Sequence, residues 1–143
     1  PAYRRYLGSD HPIVAQFVAN NLSPDWGREL ALVISLDGAV VGSIFLGVHE
    51  GGLAQLACLL APAVWGRSIA IEAGRAVISY GFKHMQVERV WARADTDNAA
   101  SLRAMEKGGM RKESAAGAYR AGLADEREDE VLYAVTREEW LGR

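Results

Sequence analysis

The apolar residues before and after Pro62 recur with different periods, and that change limits what this chain can fold into. Residues 30–60 carry short strand-like apolar runs, broken at Asp37-Gly38 and again at Glu50-Gly51-Gly52. Asp-Gly suits a two-residue hairpin turn, because both positions must accept a positive φ. Residues 30–36, 40–48 and 53–60 therefore read as three consecutive antiparallel strands, a meander. After Pro62 the repeat becomes helical, with Ile69, Ala73, Val77 and Tyr80 expected along one buried face. Between the two patterns stands Trp65-Gly66-Arg67-Ser68, a glycine turn leading from a strand into a helix N-terminus. The first N–H groups of a helix lack intrahelical partners, and the macrodipole adds partial positive charge there. Such a turn is suited to a phosphate group.

The remaining pattern completes an α+β chain. Residues 86–94 return to a strand through Val87, Val90 and Trp91, and a helix is expected over 98–107, stopped by Gly108-Gly109. Asn98 and Ser101 lie three residues apart, which puts them on one face of that helix. Residues 110–113 and 130–136 read as strands, 114–128 as a polar connection, and 13–22 as a short amphipathic helix. From the meander onward the order is βββαβαββ. It predicts an α+β fold with a mixed, mostly antiparallel central sheet and helices on its faces. A length of 143 residues suits one domain, taken as 1–143.

Composition narrows the partners. The net charge of -2 offers no basic stripe, so nucleic acid is not expected. Cys58 is the only cysteine, which rules out an intrachain disulfide and suits a reducing compartment. No apolar run reaches the roughly 18 residues of a membrane span, and Pro1-Ala2-Tyr3-Arg4-Arg5 is not followed by a signal-peptide core. A cytoplasmic protein with no membrane partner is the expectation. His11, His49 and His84 have no metal-ligand spacing with Cys58, so no metal is expected.

Two segments carry a resemblance. Leu60-Ala61-Pro62-Ala63-Val64-Trp65-Gly66-Arg67-Ser68-Ile69-Ala70-Ile71-Glu72-Ala73 resembles the acetyl-coenzyme A loop of the GCN5-related N-acetyltransferases (GNAT). Asp97-Asn98-Ala99-Ala100-Ser101-Leu102-Arg103-Ala104-Met105-Glu106-Lys107-Gly108-Gly109-Met110 is similar to the second motif of the branch that acetylates ribosomal-protein N-termini. The ending Val131-Leu132-Tyr133-Ala134-Val135, with Glu139-Trp140, is similar too. The chain departs from the family at Ala63, where Gln or Arg is usual, and at Ser68, where Gly or Ala is usual. Gln55 stands where a carboxylate is common. The strand and helix that usually precede the segment matching residues 3–8 are missing. Either the chain is truncated at its N-terminus or the sheet edge is completed by a partner, for which a homodimer is the expected answer.

The resemblance implies a transferase that moves an acetyl group from acetyl-coenzyme A directly to a primary amine, either a protein N-terminus or a small molecule. It implies that the coenzyme's pyrophosphate sits on the amides of Val64, Gly66, Arg67, Ser68 and Ile69. The pantetheine arm would pair with backbone groups of Cys58, Leu59 and Leu60, one N–H of which would bind the oxyanion. Asn98 is the expected side-chain contact to the coenzyme, though an Asn there also suits a helix N-cap. Ser101 is the candidate to protonate the leaving sulfur, since the position where many relatives carry tyrosine is Met105; a serine here can also simply bond its own helix. No general base stands out: Gln55 cannot titrate, and His49 and Glu50 lie at a turn near the strand end. An α-amine, with a pKa near 8, is roughly one-tenth neutral at pH 7 and can do without one. The alternative is a degenerate domain that binds an acyl-coenzyme A as sensor or scaffold.

Overall fold

A computed structural model describes residues 28–113 and 130–142. The helix expected over 13–22 and the connection over 114–128 lie outside the described residues. Among the described residues six strands form one sheet: β1 (Glu29–Leu36), β2 (Ala39–Val48), β3 (Leu53–Leu60), β4 (Arg89–Asp95), β5 (Arg111–Glu113) and β6 (Glu130–Thr136). Their spatial order is β1-β2-β3-β4-β6-β5. Among the described residues three α-helices accompany them: α1 (Ile69–His84), α2 (Ala99–Lys107) and α3 (Arg137–Leu141).

The meander forms as its turns dictate. Asp37 and Gly38 both take positive φ, 52° and 83°, which matches the turn to the twist of the strands it joins. The β1–β2 ladder slips by one residue between Ile34 and Ser35, a bulge close to the turn. From β3 the chain crosses over through α1 and returns as β4 parallel to β3. The remaining pairs, β4 with β6 and β5 with β6, are antiparallel.

One main core lies between the sheet and α1. Leu46, Phe82, Ile78, Val87, Val90 and Val135 are its largest fully buried side chains. The buried face of α1 is Gly74, Val77, Ile78, Gly81 and Phe82, which corrects the expected stripe. Tyr80 is exposed and stacks on His84, with ring centroids 4.8 Å apart. The reason is a rotation of the helix about its axis toward its glycines. A Cβ on Gly81 would stand 2.7 Å from Leu46 Cδ2, so this glycine lets the helix backbone settle against β2. Val87 differs slightly as well: it is fully buried but precedes β4, after a left-handed Gln86.

The C-terminal segment locks the far end of α1. Trp140 Nε1 donates to Ser79 Oγ at 3.0 Å, and the Arg137 guanidinium donates to Phe82 O. Thr136 and Glu139 cap each other reciprocally at the start of α3. Glu139 also receives two hydrogen bonds from Arg111 in β5, at 2.9 and 3.1 Å. That guanidinium, with the Thr136 bonds, holds the Glu139 carboxyl at about 2.

A carboxyl depressed in the fold stabilises it above its unfolded pKa of roughly 4.3, and that stabilisation disappears as pH falls through the folded value. Glu139→Gln keeps a capping acceptor but removes the charge. We expect it to flatten the loss of melting temperature between about pH 4 and pH 2. The pair is partly exposed, so the effect is at most about 1 kcal/mol. Thermal melts of both proteins across that window measure it; parallel curves would show the pair to be energetically silent.

Candidate active site

The site begins where two strands stop pairing. β3 and β4 are joined only through Leu53↔Arg89, Ala54↔Val90 and Gln55↔Trp91. Beyond Gln55, β3 continues along β2 to Leu60, while β4 continues along β6 to Asp95. Between them opens a wedge that no described strand fills. Its β3 wall, residues 56–60, is on the order of 17 Å long, enough for one extended chain.

Which backbone groups face this wedge follows from the β2–β3 ladder. Ala61 N–H donates to Val41 O at 2.7 Å, His49 N–H donates to Leu53 O at 2.6 Å, and the register between them is unbroken. Bonded pairs alternate with open ones, so Leu59 bonds with Ser43, and Ala57 with Phe45. The N–H and C=O of Cys58 and the N–H of Leu60 then point into the wedge. Leu59 does not fit its expected role, because the phase of the ladder turns its polar groups toward β2. Leu60 O is already used, accepting a hydrogen bond from Trp65 Nε1 at 2.9 Å.

That indole bond ties the end of β3 to the glycine turn. Ala61-Pro62-Ala63-Val64 makes a short 3₁₀ turn in which Val64 N–H donates to Ala61 O at 3.1 Å. Val64 is also buried, so it supports the turn and its amide is occupied, contrary to expectation. Gly66 follows with φ 77° and Ser68 with φ 60°. Two left-handed residues so close together turn successive N–H groups to one side, as in an anion-binding nest. Space around Gly66 is open: nothing lies within 4 Å of where its Cβ would be. Among the described residues, the N–H groups of Gly66, Arg67, Ser68 and Ile69 have no backbone acceptor, and the first α1 bond outside this set is Glu72 N–H to Ser68 O. Ser68 caps α1 by position alone, with no side-chain bond.

On the other side of the wedge, α2 follows β4. Asn98 Oδ1 accepts from Ser101 N–H at 3.3 Å, so the residue is an N-cap. Its amide NH₂ is not consumed by this bond and can still donate to a ligand. Ser101 is half-buried, and its hydroxyl has no hydrogen-bond partner among the described residues. Met105, one turn further on, packs against the main core.

Titratable groups are scarce here. Cys58 is exposed at the sheet surface, yet desolvation by its surroundings pushes the thiol up to about 11. At neutral pH it is a protonated thiol, not a nucleophile. His49 and Glu50 sit at the turn before Leu53, beside the paired end of β3 and away from the wedge. Sequence alone does not say which end of the strand opens, and that decides a turn's distance from the cleft. The role of Trp65 as a strap was also missed. An aromatic with one polar handle, five residues beyond a strand carbonyl, was the available signal.

Gly66→Val would put a branched side chain into the open space over the turn, on a backbone conformation that only glycine adopts cheaply. We expect coenzyme A affinity to fall by about tenfold or more, on the scale of one or two lost charge-assisted hydrogen bonds. Calorimetry on both proteins reads this directly, with circular dichroism confirming the fold. Equal affinity would reject the turn as the diphosphate cradle.

The chain is similar to known acetyltransferases. Residues 1–111 match the family model described as an acetyltransferase (GNAT) domain. The chain is 28% identical over 132 residues to YnaD, an uncharacterised N-acetyltransferase of Bacillus subtilis, covering 88% of this chain and 74% of that protein. It is 27% identical over 144 residues to YdaF of the same organism, a candidate ribosomal N-acetyltransferase, covering 94% and 77%. Among solved structures, Mycobacterium smegmatis RimJ in complex with CoA-disulfide superposes with a TM-score of 0.69 at 28% identity. That match covers 89% of this chain and 60% of RimJ, so the present chain spans less than two thirds of that protein. The chain belongs to the GNAT family of acetyltransferases.

Proposed function

We propose that this chain, acting as one domain, transfers an acetyl group from acetyl-coenzyme A directly to a primary amine, on a protein N-terminus or a small molecule. One observation carries the reading. The β3–β4 pairing ends at Gln55↔Trp91, and the wedge it opens lies beside a turn of free amides.

In this reading the N–H groups of Gly66, Arg67, Ser68 and Ile69 hold the diphosphate. The donor's amide-bearing arm extends along β3 and bonds Cys58, replacing the missing strand partner. Leu60 N–H and the Asn98 amide add further contacts. The amine nitrogen attacks the thioester carbonyl carbon, and an N–H of the β3 wall, with Cys58 best placed, stabilises the oxygen as it gains charge. The C–S bond then breaks. The ammonium gives up a proton, Ser101 Oγ–H supplies one to the departing sulfur, and the hydroxyl is reprotonated from solvent or from that ammonium. The products are an amide and the free thiol of coenzyme A. No base is required for an α-amine, of which about one-tenth is neutral at pH 7.

The setting follows from the same reading. A single cysteine fits a reducing cytoplasm. Among the described residues β1 is a sheet edge, with Val33 and, across the hairpin, Val40 each 67% exposed. Pairing between two copies along this edge would give a homodimer. Sedimentation at micromolar concentration should then show a dimer, and a monomer at every concentration would refute that pairing.

Ser101→Ala tests the chemistry. General acid catalysis is worth roughly a hundredfold to ten-thousandfold, so turnover should fall by that order while affinity for the coenzyme holds. Steady-state kinetics against a panel of amines, with calorimetry on the coenzyme, separates the two effects. A fall of less than about threefold would mean that solvent protonates the thiolate and Ser101 is a structural serine. Coenzyme binding with no transfer to any amine would instead identify a sensor domain.

A further inference from the structure

The sheet face turned away from α1 holds two polar atoms that the chemistry above leaves unused. Trp91 is 6% exposed, and its indole Nε1 is buried with no hydrogen-bond partner. Arg93 lies two residues further along β4, hence on the same face, and its Nε is also buried and unpartnered. Part of this guanidinium is engaged. Its Nη1 donates to Glu130 Oε2 at 3.2 Å, and its central carbon lies 4.9 Å from the Trp91 ring centroid. Buried polar atoms are nearly always satisfied, so two orphans on neighbouring side chains call for a partner. Both are donors only.

Their position says what the partner is. Trp91 faces Gln55 in the last pair before β3 and β4 diverge, and Arg93 flanks the opened stretch. Val90 and Ala92 belong to the core under α1, whereas Trp91 packs with Ala134 and Leu132 on the opposite face. With the diphosphate at the N-terminus of α1, an acceptor reaching the thioester from the other face passes Trp91 and Arg93.

We propose that Trp91 Nε1 and Arg93 Nε form a specificity-determining donor pair for an uncharged oxygen of the acceptor, a carbonyl or hydroxyl a few bonds from the reacting amine. This rests on the acetyl-transfer reading above. Two donors require lone pairs opposite them, which an oxygen supplies. Glu130 already matches the charge of Arg93, so a neutral oxygen fits better than a carboxylate. A polyamine or alkylamine has no oxygen to offer and leaves both donors orphaned. The Arg93 side chain keeps 22% of its exposure.

Trp91→Phe removes one N–H and keeps the ring; Arg93→Lys removes Nε–H and keeps the charge beside Glu130. Each is assayed with a trialanine amide, an amino alcohol and spermidine, and by calorimetric titration of the trialanine amide into the complex with coenzyme A. The unmodified protein should favour an oxygen-bearing acceptor over spermidine by at least about tenfold, the scale of one or two hydrogen bonds. Each variant should raise KM for that acceptor about tenfold, leave kcat nearly unchanged and leave spermidine untouched. A preference for the peptide identifies a carbonyl as the source of the oxygen, and one for the amino alcohol a hydroxyl. A variant that slows every acceptor equally, or none, overturns the pair while leaving acetyl transfer intact. If no amine is acetylated, the transfer reading itself fails. Peptide affinity for the coenzyme A complex that is undetectable, or unchanged in both variants, then overturns the pair as well.

Discussion

The site depends on how little β3 and β4 pair. A parallel ladder that continued to Leu60 would satisfy every backbone group on that side of β3 and leave nowhere for a second extended chain. Because pairing ends at Gln55↔Trp91, the polar groups of Cys58 face a gap they cannot fill themselves. Unpaired backbone of this kind is tolerated when water or a ligand supplies the missing bonds. The binding surface is thus made largely of main chain, which explains why so few charged side chains are needed to build it.

The gap would be of no use without a fixed helix beside it. The axis of α1 is held by Gly81 against Leu46, by Phe82 in the core, and by Trp140 bonding Ser79 near the far end. With those contacts made, the N-terminus of α1 has one position, and the left-handed pair Gly66 and Ser68 sets the direction of its free amides. Trp65 adds the last constraint by bonding Leu60 O, so that turn and strand end form one unit. The turn of free amides and the open stretch of β3 are therefore held in register by packing that lies away from both.

The electrostatics of the wedge are correspondingly quiet. The Cys58 thiol is pushed up to about 11 and stays protonated, and the strongest ion pair of the described residues, Arg111 with Glu139, lies at the α3 end. What the wedge offers instead is oriented neutral dipoles, the main-chain N–H groups of its β3 wall. Such groups stabilise charge that develops during a reaction without having to be titrated beforehand. Arg93 brings a charge close by, but Glu130 balances it.

Much of this was legible in the residues. Asp37-Gly38 specified a hairpin because few other pairs accept two positive φ values, and the period change at Pro62 placed the crossover helix. Gly66 marked the turn that leads into α1. Three things depended on the tertiary structure. The rotation of α1 buried Gly81 in place of Tyr80, because a Cβ there would meet Leu46 of β2. The phase of the β2–β3 ladder excluded Leu59 while admitting Cys58, and a 3₁₀ turn consumed the Val64 amide. Trp91 and Arg93 looked like ordinary strand residues until the sheet placed them, orphaned, beside the opening. Sequence determined which elements form, since turn chemistry and periodicity act locally. The direction in which each backbone and side-chain donor points was decided by packing between elements distant in the chain.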